Sequence, residues 1–290
     1  MDQERFEIFK DFQLKDYCFH SNTIAFRVTR DGFEVFNPWS PKEPDFVPLT
    51  IPFGNSEDTS EPIQKMVKFA KELFPKLQLY LILDASNLVE FLDTMKFWRS
   101  FNIPLKTVKI GSAAEIDDEL MKAVLEQCSD VRNLTIYYSS HSLFQYDFRA
   151  HAPFKFDFFE LKSAEWVTKD HLINLFFGCK KVILGGTHYT DQELTGICEK
   201  WLEAPEMQYL EVQSTETFSE GIGKLPGALP VRQLTVPDYW GRKESKAFCS
   251  KQCYKINKAD GTAAVVYRDG FFYGIYFRTD FEDAVIGEGV

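Results

Sequence analysis

Seven times between Leu77 and Val236 the chain returns to one short pattern, apolar-x-x-apolar-x-apolar. The instances are LQLYLI (77–82, the most hydrophobic), LKTVKI (105–110), VRNLTI (131–136), FDFFEL (156–161), CKKVIL (179–184), MQYLEV (207–212) and VRQLTV (231–236). Their last apolar residues are Ile82, Ile110, Ile136, Leu161, Leu184, Val212 and Val236, about 23 to 28 residues apart. Alternation over so few residues marks a short strand, and the interval leaves room for one helix. Helical spacing follows in most intervals: Leu88, Phe91, Leu92 and Met95; then Ile116, Leu120, Ala123 and Val124; then Leu172, Leu175 and Phe176 behind Thr168. The cleanest stripe is Leu194, Ile197, Cys198, Trp201 and Leu202. It follows TDQE, a capping box of Thr190 and Glu193, and Pro205 ends it.

A strand and a helix repeated at roughly 20 to 29 residues is the geometry of leucine-rich repeats, in which stacked units bury one continuous core. The expected fold is therefore α/β: an irregular leucine-rich-repeat-like solenoid of parallel strands and helices. The Asn that usually follows the third apolar residue is missing, with GSA after Ile110, YYS after Ile136 and GGT after Leu184. An ordinary α/β sheet with right-handed crossovers would give the same local pattern and stays open as the alternative. TIAFRVTRDGFEVF (23–36) predicts an N-terminal hairpin at Asp31-Gly32. The Pro-rich run from Pro38 to Pro62 reads as a connector, and LQLYLI lacks alternation, so the hairpin is expected to cover it. Two Asp-Gly pairs in YKINKADGTAAVVYRDGFFYGIYF (254–277) predict an antiparallel β-meander that caps the open end. The expected divisions are 1–62 for hairpin and connector, 63–237 for the β/α repeats and 238–290 for the β cap.

The chain has 290 residues, 28 of them Phe, and a net charge of −10. So many aromatic side chains call for a sizeable core, and the negative charge argues against a nucleic-acid partner, since phosphates are held mainly by Lys and Arg. No run approaches the roughly 18 to 20 apolar residues of a spanning helix, so no membrane partner is expected. The first residues show neither a signal-peptide core nor a lipidation motif. Six Cys without a secretion signal are expected to be reduced thiols, placing the protein in cytoplasm or nucleus. Cys249 and Cys253 form one C-x3-C pair, too few ligands for structural zinc beside scattered His.

Enzyme patterns are weak throughout. Gly185-Gly186-Thr187-His188 sits between strand and helix, where a phosphate loop would lie, but carries neither glycine fingerprint. Asp117, Asp118 and Glu119 open a helix, where negative charge is favoured in any case. Cys18 beside His20 lacks an orienting third group, and His141 and His151 bracket an irregular stretch. No catalytic residue, metal or cofactor is expected. A small α/β enzyme or nucleotide-binding protein is the alternative.

Three segments together resemble the nematode F-box-associated domain, type 2. EWVTKDHLINLFFGCKKVIL (165–184) is similar to its Trp-aliphatic-Thr-x-acidic-x-Leu helix and following strand. YTDQELTGICEKWLEAPEMQYLEV (189–212) is similar to a stretch with an acidic-Leu start, a Trp near the helix end and a Leu-Glu strand. YKINKADGTAAVVY (254–267) matches its Asp-Gly hairpin, so the likeness covers 163–277. It implies a non-catalytic protein-protein interaction module resembling the substrate-recognition part of F-box ubiquitin-ligase receptors. The partner is a target protein, and the cullin-ligase adaptor would dock only if an F-box lay upstream. MDQERFEIFKDFQLKDYCFHSNTIAFRV does not open as an F-box does, which leaves two expectations open: the chain is a fragment or short isoform, or its binding is uncoupled from the ligase. The family supplies no catalytic residues.

If the strands line one sheet, the residues between apolar positions face outward. That row holds Lys109, Thr135, Glu160, Ile183, Glu211 and Thr235, with Thr107, Asn133, Phe158, Lys181, Tyr209 and Gln233 two residues earlier. It is a mixed polar face with Phe158 and Tyr209 as aromatic anchors, suited to binding protein.

Overall fold

The computed structural model describes residues 23–29, 32–36, 49–52, 64, 67–68, 78–83, 87–111, 117–138, 144–203, 206–213, 221–237, 242–249, 251–268 and 274–287. The fold is mixed α/β, and the chain divides into two compact units, Met1–Tyr138 and Ser139–Val290.

In the first unit, β1 (Thr23–Thr29) and β2 (Gly32–Phe36) form an antiparallel hairpin whose innermost pair is Thr29 and Gly32. β3 (Leu49–Pro52) pairs with β2. The hairpin was expected to lie over a face of LQLYLI. Instead β1 pairs edge to edge and parallel with β4 (Gln78–Leu83), which runs beside β5 (Leu105–Ile110), itself beside β6 (Asn133–Ile136). The missing alternation in β4 goes with burial on both of its faces, Leu79, Tyr80, Leu81 and Leu83 all being buried. The β4–β5 and β5–β6 steps are each bridged by a helix. α1 (Leu88–Arg99) is capped by Asn87, whose side chain accepts from the Glu90 amide, and it buries Phe91, Met95 and Trp98. α2 (Asp118–Gln127) is capped by Asp117 and buries Leu120, Met121, Val124 and Leu125. Arg99 at the end of α1 holds Asp130 through two hydrogen bonds of 3.0 and 2.7 Å and also donates to the Gln127 carbonyl, tying the two helices together at their C-terminal ends.

In the second unit β7 (Phe158–Leu161), β8 (Lys181–Leu184) and β9 (Tyr209–Gln213) are parallel neighbours in chain order. Between β7 and β8, the turn α3 (Lys169–His171) is capped by Thr168 and continues as a π-helical turn, Leu172–Phe176. α4 (Asp191–Glu203) joins β8 to β9 and begins with the capping box: the Glu193 amide donates to Thr190 Oγ1 (3.2 Å) and the Thr190 amide to Glu193 Oε2 (2.9 Å).

The next strand in sequence does not extend this row. β10 (Leu229–Pro237), expected as another parallel strand, is antiparallel to all its partners. The free edge of β9 is taken by β14 (Gly274–Arg278), antiparallel, followed by β13 (Ala263–Arg268) and β12 (Cys253–Asn257). Packing explains the substitution. Phe277 lies opposite Leu210 on the helix-covered face, and its ring meets Trp201 of α4 edge-on at 4.7 Å. Lys258, at the end of β12, stands over the same Trp201 at 4.3 Å. The β12–β13 turn uses Asp260-Gly261, with Gly261 at φ +89, the left-handed region that glycine tolerates. The second Asp-Gly pair, Asp269-Gly270, lies outside the described residues, as do Cys18, His20 and His141.

β10 begins on β12 and then leaves it to pair with β11 (Lys243–Ala247) and β15 (Asp283–Ile286). Val231, Leu234 and Val236 of β10 pack with Phe248 onto Cys253, Val265 and Tyr267 of the main sheet. This smaller set of strands thus covers the β12–β13 part of the face opposite α4.

Candidate functional site

Strand register defines which side chains share the uncovered face. Directly paired residues point the same way, so Phe158, Lys181, Tyr209 and Arg278 form one row across β7, β8, β9 and β14. Glu160, Ile183, Glu211 and Tyr276 form the parallel row beside it. Both rows run on to β13, at Val265 and Tyr267, where the smaller strand set buries them. Lys181 is exposed, and Phe158, Glu160, Ile183, Tyr209 and Glu211 are half-buried. Among the described residues the face is therefore a shelf, open over β7–β9 and closed along one side by Tyr276, Phe281 and the strands behind them.

Its charges are mostly engaged. The Tyr209 hydroxyl donates to Glu211 Oε2 at 2.8 Å, and that of Tyr276 lies 3.4 Å from Oε1. Burial, then the neighbouring Glu211 carboxylate, raises the Tyr209 phenol above its usual range, so it remains a neutral donor. Arg278, 8% exposed, makes a two-pronged contact with Asp280 (2.8 and 3.1 Å) and lies 5.2 Å from the Tyr209 ring centroid. Burial works against that guanidinium, but Asp280 and Tyr267 outweigh it and raise its pKa. Tyr267 and Tyr276 stack at 5.2 Å. Lys181 is exposed, and against the effect of burial its charge acts on Asp280, adding to that of Arg278 in lowering the carboxyl's pKa.

The remaining expected site residues fall elsewhere. Gln233 and Thr235 sit on β10, not beside Tyr209, and Gln233 donates to Ser245 of β11 at 3.0 Å. In the first unit Thr107 and Lys109 pair with Asn133 and Thr135, as register predicts. Yet Thr107 and Thr135 are 6% and 1% exposed, and Asn133 donates to Thr107 Oγ1 at 2.9 Å. Those threonines are core residues and cannot touch a partner. Lys109 lies over the Tyr80 ring at 5.7 Å. Conversely, Tyr276, Arg278 and Asp280 belong to the shelf but not to the expected set. The alternation of GIYFR carried the signal, hidden because chain order does not reveal that β14 inserts beside β9.

The glycine pair after β8 leaves little for a phosphate. The Gly185 amide donates to the Leu161 carbonyl (2.8 Å), the Gly186 amide to Gln213 Oε1 (3.1 Å), and the Glu193 carboxylate already occupies the start of α4. Thr187 is buried and clasps the Gln213 backbone through both its donor and acceptor roles (3.0 and 3.1 Å). Asp117 serves as the cap of α2. His151 stacks on Tyr146 at 4.6 Å. Cys249 is exposed, whereas Cys253 belongs to the buried cluster. Among the described residues, no group of three His, Cys, Asp or Glu side chains is disposed to hold a metal ion. No described helix is long and apolar enough to cross a membrane.

No family model matches the chain. It is similar to Skn-1 dependent zygotic transcript 15 protein of Caenorhabditis elegans, 23% identical over 225 residues, which is 73% of this chain and 61% of that protein. A distant nematode relative therefore exists, and the match spans less than two thirds of its length.

Proposed function

We propose that the protein is a non-catalytic protein-binding module whose second unit receives its partner on the β7–β9 shelf. The observation that carries this reading is the shelf itself: half-buried Phe158, Ile183 and Tyr209 around an exposed Lys181, walled on one side by a second layer of strands. Partly covered aromatics beside a fixed polar frame are what protein hot spots are made of. The sequence likeness of 163–277 to the type 2 F-box-associated domain supports it, and the nematode relative agrees with that lineage. In this reading the β/α units form a divergent leucine-rich-repeat-like solenoid, and the module selects a target protein as ligase substrate receptors do. Adaptor docking would require an F-box in the same gene product.

The test is capture of a binding protein from nematode extract by wild type and by Phe158→Ala/Tyr209→Ala. The double variant is expected to lose the captured protein while Tyr209→Phe, which keeps the ring, retains it. Unchanged capture by a folded double variant would retire the shelf. Co-purification of the cullin-ligase adaptor with the complete gene product separates a ligase receptor from an uncoupled binder.

A further inference from the structure

We infer that the shelf, taken as the binding surface proposed above, selects a partner segment carrying one Lys or Arg between apolar residues, its cation seated on the Glu211 carboxylate. The division of charge between the two open rows leads there. Both cations of the row Phe158, Lys181, Tyr209 and Arg278 act on one carboxylate, Asp280, which Arg278 grips at 2.8 and 3.1 Å. The neighbouring row, Glu160, Ile183, Glu211 and Tyr276, carries two carboxylates and no cation. Glu160 makes a further interaction of its own. Glu211 is held by phenol hydroxyls, Tyr209 at 2.8 Å and Tyr276 at 3.4 Å, and among the described residues no ion pair neutralises it. Neutral donors steady a carboxylate without cancelling its charge: after burial, that charge is the next cause of the raised Tyr209 pKa. An incoming ammonium or guanidinium would complete the half-buried group with a charge-assisted hydrogen bond.

The surroundings set the rest of the segment. Glu211 is paired in register with Ile183 on one side and Tyr276 on the other, with Tyr209 two residues along its own strand. Neighbouring strands lie about 5 Å apart, so the aliphatic stem of a Lys or Arg reaching Glu211 would rest on Ile183 or on a tyrosine ring, whose face favours a cation. Phe158 and Tyr209 are two strand spacings apart, about 10 Å, which an extended chain crosses in about three residues. An apolar residue close to the basic one would therefore reach Phe158. A long basic run is disfavoured, because Lys181 and Arg278 lie in the adjoining row. The net charge of −10 favours the approach of a basic segment over an acidic one.

The experiment is selection from a displayed library of random 12-residue peptides by the whole protein, by Glu211→Gln and by Phe158→Ala, with each variant shown to melt as wild type does. Glu211→Gln keeps an acceptor for the tyrosine hydroxyls and removes the charge. Wild type is expected to enrich peptides with one Lys or Arg flanked within two positions by aromatic or aliphatic residues. Glu211→Gln should weaken those peptides by about tenfold or more. Norleucine in place of the peptide's Lys should weaken binding to wild type as much, a comparison that needs no variant. An enriched motif without a basic position, one that tolerates norleucine, or one indifferent to residue 211 would overturn the inference. If that motif still depends on Phe158, the shelf survives as a binding surface and only the cation specificity falls. No enrichment, or enrichment indifferent to both residues, defeats the two together.

Discussion

Arg278 and Asp280 show how a charged pair can sit at the border of a binding face without being its recognition element. Burial alone would raise the Asp280 pKa, but hydrogen bonds from Arg278, its charge and that of Lys181 prevail and hold the carboxyl below its ordinary value. A group depressed in the folded state contributes stability above its unfolded pKa, about 4 for a free aspartate, and loses it as pH falls through the lower folded value. Chemical denaturation across that acid range should therefore show stability falling, with part of the fall due to this residue. Asp280→Asn is expected to be less stable than wild type at neutral pH and to show a shallower decline below about pH 4. Parallel curves for the two proteins would mean the ion pair contributes nothing of the kind.

The connection from β8 into α4 is governed by close backbone approach. A Cβ on Gly185 would strike the Lys162 carbonyl oxygen, a backbone atom with no freedom to move aside. Gly185→Ala is expected to destabilise the second unit by about 1–3 kcal/mol, read from urea denaturation. Equal stability would place the β7–β8 loops differently. This glycine was visible in the sequence only as half of a weak phosphate-loop signal; its steric role depends on where residue 162 lies. Strands and helices with strong local patterns were legible beforehand, including the Thr190–Glu193 cap and the stripe ending at Trp201. The order of strands beyond β9 was not. VRQLTV and GIYFR both alternate, and nothing local tells which will lie against Tyr209. Phe277 packing on Trp201 decides it, a contact between residues far apart in the chain. Likewise, Thr107 and Thr135 alternate as surface residues do, and their burial is a tertiary outcome.

Across the molecule, the thiols report on integrity. Burial raises Cys128, Cys179 and Cys198 to about 12, and Cys253 is raised by the same cause. Thiolate is the reactive form, so these groups are protected both by access and by protonation. Of the five described cysteines, only exposed Cys249 is expected to react with iodoacetamide near neutral pH, the other four requiring unfolding. Peptide mapping after brief labelling checks this, and early modification of Cys179 or Cys198 would show that the second unit opens readily.

Whether the β7–β9 shelf meets another protein can be read by placing a photo-crosslinking phenylalanine derivative at position 181, on the shelf, or at position 199, on the exposed side of α4. Irradiation in nematode extract should give a discrete adduct from position 181 and none from 199. Adducts from 199 alone, or equally from both, would contradict recognition through the sheet face.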